Sequence, residues 1–383
     1  METKAIVIGG NHHNTLGLIR GLGRKGVMSH VILHGNSSSN NYILRSKYIK
    51  RYFIVSTEVE LLDTLLSLKS NNRKDVILCT SDYASSIIDL HRNKLKDFFF
   101  LPGCDEEGRL TYYMNKDVMS STAKECGLNI PDSWVLNRNQ NHIPQITFPC
   151  ITKPLKSIDG SKSDITICQN ENELLLYLKQ LSTESVQIQK FINKTVEYQL
   201  IGVAADKVVI PGKSLIISQP LCTNTGYLKY VHLDGTEPIR QCEEFLKKIG
   251  YSGLFSMEFI RDDKGKDYFM EINFRNDGNA ICVTEAGVNL PFIWYSVCCN
   301  KDLLREVQTE INREVYVVPE FNEINLWYRG NISFKRMINE LRQADVCMEY
   351  SVDDPRPTHG KFDFVKLFLI SISKRIVKTI IRK

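Results

Sequence analysis

Strand-like and helix-like patterns alternate through the first hundred residues, and that alternation restricts the chain to a small group of folds. Residues 5–10 (AIVIGG) are an apolar run closed by a glycine turn, and 14–25 carry apolar positions at helical spacing, with Gly26 as a stop signal. A second strand (30–34), a polar loop (35–41), a helix (58–69), a strand (75–80), a helix (82–91) and a strand-like run (97–102) follow. This order predicts an α/β domain built on a parallel sheet. The turn after the first strand, Gly9-Gly10-Asn11-His12-His13-Asn14, lacks the G-x-G-x-x-G spacing, so it argues only weakly for a dinucleotide or a dehydrogenase. The opening Met1 to Gly9 is too short and wrongly flanked for a signal peptide and reads as a first strand.

Beyond residue 104 the patterns mix without a clean linker: a helix at 116–127, a strand at 148–154, a polar loop at 158–163 and a return strand at 164–168. A helix (171–181), a strand (186–192), several strands from 197 and a helix at 237–249 come next. A length of 383 residues allows two or three domains. With 43% hydrophobic and 24% charged residues, the composition excludes collagen, disordered and disulfide-scaffold classes. No run approaches the roughly 18 apolar residues that span a bilayer. The eleven cysteines are scattered without C-x-x-C, and the histidines lack H-E-x-x-H, so zinc and dithiol motifs are absent and a reducing, cytoplasmic setting is expected. No nucleic-acid partner is expected.

The most informative segment is LFSMEFIRDDKGKDYFMEINF, residues 254–274. Its central Asp263-Lys264-Gly265-Lys266 separates two alternating runs, which predicts a hairpin. Pairing Asp262 with Asp267 sets Glu258 opposite Glu271, Met257 opposite Ile272, Phe259 opposite Met270 and Phe255 opposite Phe274. One face is then apolar, and the other presents Glu258, Glu271 and Asn273 together. Opposed carboxylates repel unless something compensates. Two carboxylates and an amide oxygen suit Mg²⁺, which also binds substrate phosphates. The alternative is a solvated polar face. Upstream, Lys153 lies in an apolar strand (Cys150-Ile-Thr-Lys-Pro), where a charge needs a partner. The loop after it, 156–163, offers hydroxyls and backbone N–H groups to phosphates, or is a plain exposed turn. Lys116 stands at a helix start, in MNKD.

In order, MNKD, TKP with its polar loop, IQKFINKTVEYQL and MEFI…FMEINFR resemble the ATP-grasp superfamily, in particular its carboxylate–amine ligase branch with D-aspartate ligase-like and small-peptide ligases. The similarity covers roughly residues 1–330. It implies a pre-ATP-grasp α/β domain (1–103) followed by a two-lobed α+β ATP-grasp fold, with a small lobe and connector (104–187) and a large lobe (188–332). A C-terminal extension (333–383) follows. By the same resemblance, Lys116 and Lys153 bind phosphates, and Gln189, Lys190 and Ile192 lie on the hinge strand whose backbone reads adenine. Glu197 holds the ribose, and Gly160 and Ser161 belong to the lid loop. Glu258, Glu271 and Asn273 hold Mg²⁺, usually two ions, with Mn²⁺ as a substitute. Arg275, with Lys153, serves catalysis by steadying the acyl-phosphate. The departures are Lys190, where Glu is common, a lid loop with one glycine, and Asn276-Asp277-Gly278-Asn279 in place of a glycine-rich continuation.

The implied reaction activates a small-molecule carboxylate with ATP and joins it to an amine, releasing ADP. Rival readings are a carboxyphosphate-forming enzyme of the carbamoyl phosphate synthase or carboxylase kind, and a non-catalytic ATP-binding protein. The loop Asn11-His12-His13-Asn14, at the carboxyl end of a parallel strand, is a candidate substrate pocket, or a helix cap. Glu285, Gly287 and Asn289 open a helix, where capping and packing are the favoured reading. Net charge adds one more feature. The 49 basic and 44 acidic residues leave +5, yet residues 361–383 hold seven basic residues against Asp363, so the preceding body is one unit negative. Val365, Phe368, Leu369, Ile372, Ile376 and Ile380 share one helical face of this tail, and Lys366, Lys374, Lys378 and Arg382 another. Such a helix suits peripheral contact with an inner membrane surface, or packing on its own domain.

Overall fold

A computed structural model describes residues 3–35, 41–138, 143–153, 165–181, 183–218, 226–299 and 308–359. Three sheets organise them. The first holds five parallel strands, β1 (Ala5–Gly9), β2 (Ser29–His34), β3 (Ile49–Val55), β4 (Asp75–Cys79) and β5 (Phe99–Phe100), in the order β3-β2-β1-β4-β5. The expected α/β domain is therefore present, and its last strand is shorter than the run 97–102. Every residue of β1 and β4 is buried, as expected where helices cover both faces of a parallel sheet.

The second sheet is antiparallel: β6 (Ser133–Asn137), β7 (Cys150–Lys153), β8 (Thr166–Cys168) and β9 (Ser185–Lys190), in the order β6-β9-β7-β8. It has a core of its own, in which Leu136, Cys150, Cys168, Leu174, Leu178, Val186 and Ile188 are buried. The third and largest sheet contains β10 (Lys194–Ala204), β11 (Val208–Val209), β12 (Lys213–Ser218), β13 (Tyr227–Val231), β14 (Gly253–Asp262), β15 (Asp267–Asn273), β16 (Val315–Val318) and β17 (Val346–Cys347). Its order is β15-β14-β10-β12-β13-β16-β17, with β11 paired to β10.

Two cores fix where chemistry can occur. One runs continuously from the first sheet (Ala5, Val7, Val31) through the helix Leu290–Cys299 to the large sheet (Ile201, Leu228), so these parts form one packed body. Trp294 within that helix donates its indole N–H to the Ile77 carbonyl, 3.2 Å away. The other core lies under the hairpin, where Met119 and Ala123 of the helix Lys116–Glu125 meet Phe255, Met257, Phe259, Phe269 and Ile272. Ten described cysteines are free thiols, seven of them buried, which agrees with their expected role as small core residues. No helix among the described residues is long and apolar enough to cross a membrane. The basic tail, 361–383, lies outside the described residues.

Candidate active site

The hairpin forms between β14 and β15, and its register departs from expectation at the turn end. Glu258 faces Glu271, Met257 faces Ile272 and Ser256 faces Asn273, as the alternation predicts. Past Glu258 the register slips by one: Phe259 faces Phe269, and Arg261, rather than Asp262, faces Asp267. The expected pairs Phe259–Met270 and Asp262–Asp267 are thus corrected. Met270 is the extra residue of a β-bulge. The physical cause is Phe269, which strict alternation would leave on the polar face. The bulge turns it into the core, where it meets Phe259 edge-on at 5.7 Å between ring centroids. Ile272 keeps its inward position, so Glu271 and Asn273 still face outward beside Glu258. At the turn, the Asp262 carboxylate accepts the N–H groups of Lys264 and Lys266, and Gly265 takes a φ of 79°.

On the neighbouring strand Gln199 lies opposite Glu258 and donates to its Oε1 at 3.1 Å, while Asn273 Nδ2 donates to the same oxygen at 3.2 Å. Asn279 Nδ2 in turn donates to Gln199 Oε1 at 2.6 Å. Burial, with the charges of Glu271, Asp277 and Glu197 close by, pushes the Glu258 carboxyl up to about 8. Such a cluster calls for positive charge. Among the described residues no three His, Cys, Asp or Glu side chains form a metal cage. Two carboxylates and the second lone pair of Asn273 Oδ1 fit Mg²⁺, a hard cation that completes its shell with water and phosphate oxygens.

Both expected lysines arrive at this cluster from separate elements. Lys116 opens the helix bolted beneath the hairpin, where the Ile272 N–H meets Met119 Sδ at 3.4 Å, and its Nζ lies 3.9 Å from Glu271 Oε2. Lys153 ends β7 in the second sheet and donates to Gln189 Oε1 at 2.9 Å. Desolvation draws its ammonium down to about 8, and Lys116 adds to that effect. Glu271, Glu258 and Glu197 oppose it, so all five charges share one neighbourhood.

The short link between β9 and β10 joins the small and large lobes. The Lys190 N–H donates to the Asp132 carbonyl and that of Phe191 to the Pro149 carbonyl, whereas the Ile192 N–H finds no acceptor among the described residues. Gln189 is buried and acts through its side chain on Lys153, which the sequence did not suggest. Glu197, on β10, is ion-paired to Lys194. Gly160 and Ser161, with the rest of the expected lid, lie outside the described residues.

Arg275 is held at four points. Its guanidinium donates to Asn273 Oδ1 (2.9 Å), Asp82 Oδ1 (3.1 Å), the Asn276 carbonyl (3.2 Å) and Asp277 Oδ2 (3.4 Å). Asp82 belongs to the first domain, at the start of the helix Asp82–Leu90. Neither Asp82 nor the relay Asn279–Gln199–Glu258 was legible beforehand. The only local signal was Ser81 as an N-cap at the carboxyl end of β4.

The Asn11–Asn14 loop is corrected in part. Asn14 is buried and donates to the carbonyls of Thr80 (2.9 Å) and Asn276 (2.7 Å), while its Oδ1 accepts from Asn276 Nδ2 at 2.6 Å. It welds the first domain to the segment after β15 and is not available to a ligand. His12 caps the following helix through Nδ1. The favoured packing reading of the 285–289 segment holds: Glu285 pairs with Arg24, and Asn289 caps its helix and donates to the Gly21 carbonyl.

A five-stranded parallel domain, a small antiparallel lobe and a large sheet carrying acids opposite two lysines together make the ATP-grasp architecture. No family model matches the sequence. Over 175 residues the chain is 30% identical to a D-alanine–D-alanine ligase of Campylobacter jejuni subsp. jejuni serotype O:2, a match covering 42% of this chain and 49% of that one. The chain thus spans about half the length of the curated relatives it matches. Among solved structures it superposes on an L-amino acid ligase from Bacillus licheniformis with a TM-score of 0.65, at 14% identity, covering 82% of this chain and 79% of that one. An ADP complex of N5-carboxyaminoimidazole ribonucleotide synthetase gives 0.68, also at 14% identity, over 86% and 85% of the two chains. The chain therefore shares the fold of these ligases, and about two fifths of it is similar in sequence to D-alanine–D-alanine ligases.

Proposed function

We propose that this protein is an ATP-dependent ligase that joins a carboxylate, of amino-acid or peptide-like chemistry, to an amine through an acyl-phosphate. The observation that carries the reading is the convergence of Lys116 and Lys153, from different sheets and helices, on Glu258 and Glu271 beside Arg275. Phosphoryl transfer needs little else from a protein than positioned charge.

In this reading the Ile192 N–H meets the adenine edge, Glu197 the ribose, and Lys116 and Lys153 the phosphates. Binding phosphate restores the Lys153 charge that burial now disfavours. Glu258, Glu271 and Asn273 would hold Mg²⁺, which would supply neutralisation of phosphate charge. The substrate carboxylate attacks the γ-phosphorus while the bond to the β,γ-bridging oxygen breaks and ADP leaves. The amine nitrogen then attacks the acyl carbon, gives up a proton, and phosphate departs with its oxygen. Arg275, fixed by Asp82 and Asn273, faces the charge that develops in both steps.

ADP release measured across a panel of amino acids and dipeptides, with product masses, tests this. AMP in place of ADP refutes the acyl-phosphate route, and turnover that requires bicarbonate instead of an amino acid transfers the chain to the carboxyphosphate class. Co-sedimentation of full-length and 361–383-deleted protein with anionic vesicles tests the peripheral membrane role of the tail.

A further inference from the structure

We infer that the first domain carries a second anion site, remote from the lysine–carboxylate cluster, which takes a phosphate-bearing ligand. An open cavity of about 670 Å³ lies between the segment joining β2 to β3 and the end of the described chain. Arg45, Ser46, Lys47, Arg356 and His359 line it, with Leu44 and Ile49 as its apolar part. None of these residues belongs to an element that carries the ATP-grasp cluster. The volume falls within the range of small-molecule sites.

Three basic side chains and an imidazole meet there, with no acid among the described lining residues. Among the described residues none of Arg45, Lys47 or Arg356 forms an ion pair. The nearest described acids, Asp353 and Asp354, already hold other arginines, Asp354 in the interior and Asp353 at the surface. Asp354 binds Arg20 at 3.1 Å in a pair only 1% exposed on each side, and also accepts the Ser46 hydroxyl (2.7 Å) and the Lys47 N–H (3.0 Å). Asp353 binds Arg24 at 2.9 Å and accepts the Tyr48 hydroxyl at 2.8 Å. Arg20 and Arg24 therefore take up these two acids, and among the described residues no other acid pairs with Arg45, Lys47 or Arg356. The same bonds pin the backbone at Ser46 and Lys47, so the wall is formed before any ligand arrives.

Exposed Lys50 and Arg51 on β3 extend the positive field. Arginine and lysine arranged around one space, with no acid among the described residues between them, match phosphate oxygens. The phosphate can come from a soluble metabolite or from a lipid headgroup, and the test separates these sources.

Full-length protein carrying Lys153→Met, to silence the nucleotide site, is titrated calorimetrically with inorganic pyrophosphate at two salt concentrations. It is also sedimented with phosphatidylglycerol and with phosphatidylcholine vesicles. The combination Arg45→Gln, Lys47→Gln, Arg356→Gln is compared in the same background, with unchanged melting temperature as the folding control. Salt-sensitive pyrophosphate binding that weakens about tenfold or more in the triple variant supports a soluble ligand. Selective phosphatidylglycerol binding lost in the triple variant supports a headgroup. Absence of binding to both probes, or binding that the triple variant leaves intact, overturns the inference.

Discussion

Replacing Glu258 by glutamine isolates the charge that the hairpin buries. Glutamine keeps an Oε1 acceptor for Gln199 and Asn273 while removing the carboxylate that faces Glu271. The Glu258 carboxyl is lifted from 4.5 to about 8, first by burial and then by Glu271, Asp277 and Glu197. A folded-state value above the unfolded one means that stability is fully present below 4.5 and is lost as pH rises through 8. At about 1.4 kcal/mol per unit the gap amounts to roughly 4–5 kcal/mol, and water reaching the half-buried group reduces it to about 2–3 kcal/mol. Glu258→Gln should therefore match the wild type near pH 4.5 in EDTA and melt roughly 3 °C higher above pH 8. Calorimetric melting across pH measures this directly. Excess Mg²⁺ should raise the wild type toward the variant and leave the variant unmoved, while ligase turnover in the variant collapses. A variant no more stable than wild type at high pH, or an advantage independent of pH, would refute the argument that an unneutralised acid pair is stored here.

Other substitutions probe the remaining parts of the site. Lys153→Met should weaken ATP binding about 10- to 100-fold, the loss of a charge-assisted bond to phosphate, as read by calorimetric titration. The same change should stabilise the ligand-free protein at pH below about 8, where the buried ammonium is charged at a cost, and not above the lysine's unfolded value of 10.5. Arg275→Lys cannot reproduce a guanidinium that meets Asp82, Asn273 and Asp277 together; turnover should fall about 10²-fold while nucleotide affinity stays within about threefold, measured by ADP release and titration. Asn14→Ala strands the buried Asn276 amide and two carbonyls, and should lower stability by about 2–4 kcal/mol in denaturant unfolding.

Local chemistry made much of this protein legible in one dimension. Period-two alternation through 254–274 set Glu258 against Glu271, because side-chain parity along a strand leaves no other choice once the apolar face is buried. Apolar runs separated by helical patterns announced the parallel sheet, and the ordered lysine, hinge and acid motifs pointed to the ATP-grasp resemblance. Parity failed where a single side chain could gain more by breaking it. Phe269 enters the core only through the bulge at Met270, and the packing partners that reward this, Phe245 and Phe259, are distant in the chain or across the hairpin.

What tertiary structure alone decided is which polar groups meet. Asn14 read as part of a loop that either meets a ligand or caps a helix, and the fold buries it because Thr80 and Asn276 lie across from it. Arg275 was a basic residue two past an asparagine until the fold brought Asp82, 193 residues earlier, against it. Asp353 and Asp354 carry ordinary charge in the sequence, and the docking of that segment on Arg20 and Arg24 commits both acids, so that among the described residues Arg45, Lys47 and Arg356 form no ion pair. Hydrophobic periodicity is a property of neighbours in the chain, so sequence determined strands, helices and faces. Hydrogen bonds and ion pairs act over a few ångströms of space, so which charges are satisfied and which wait for a ligand was settled only when the sheets packed together.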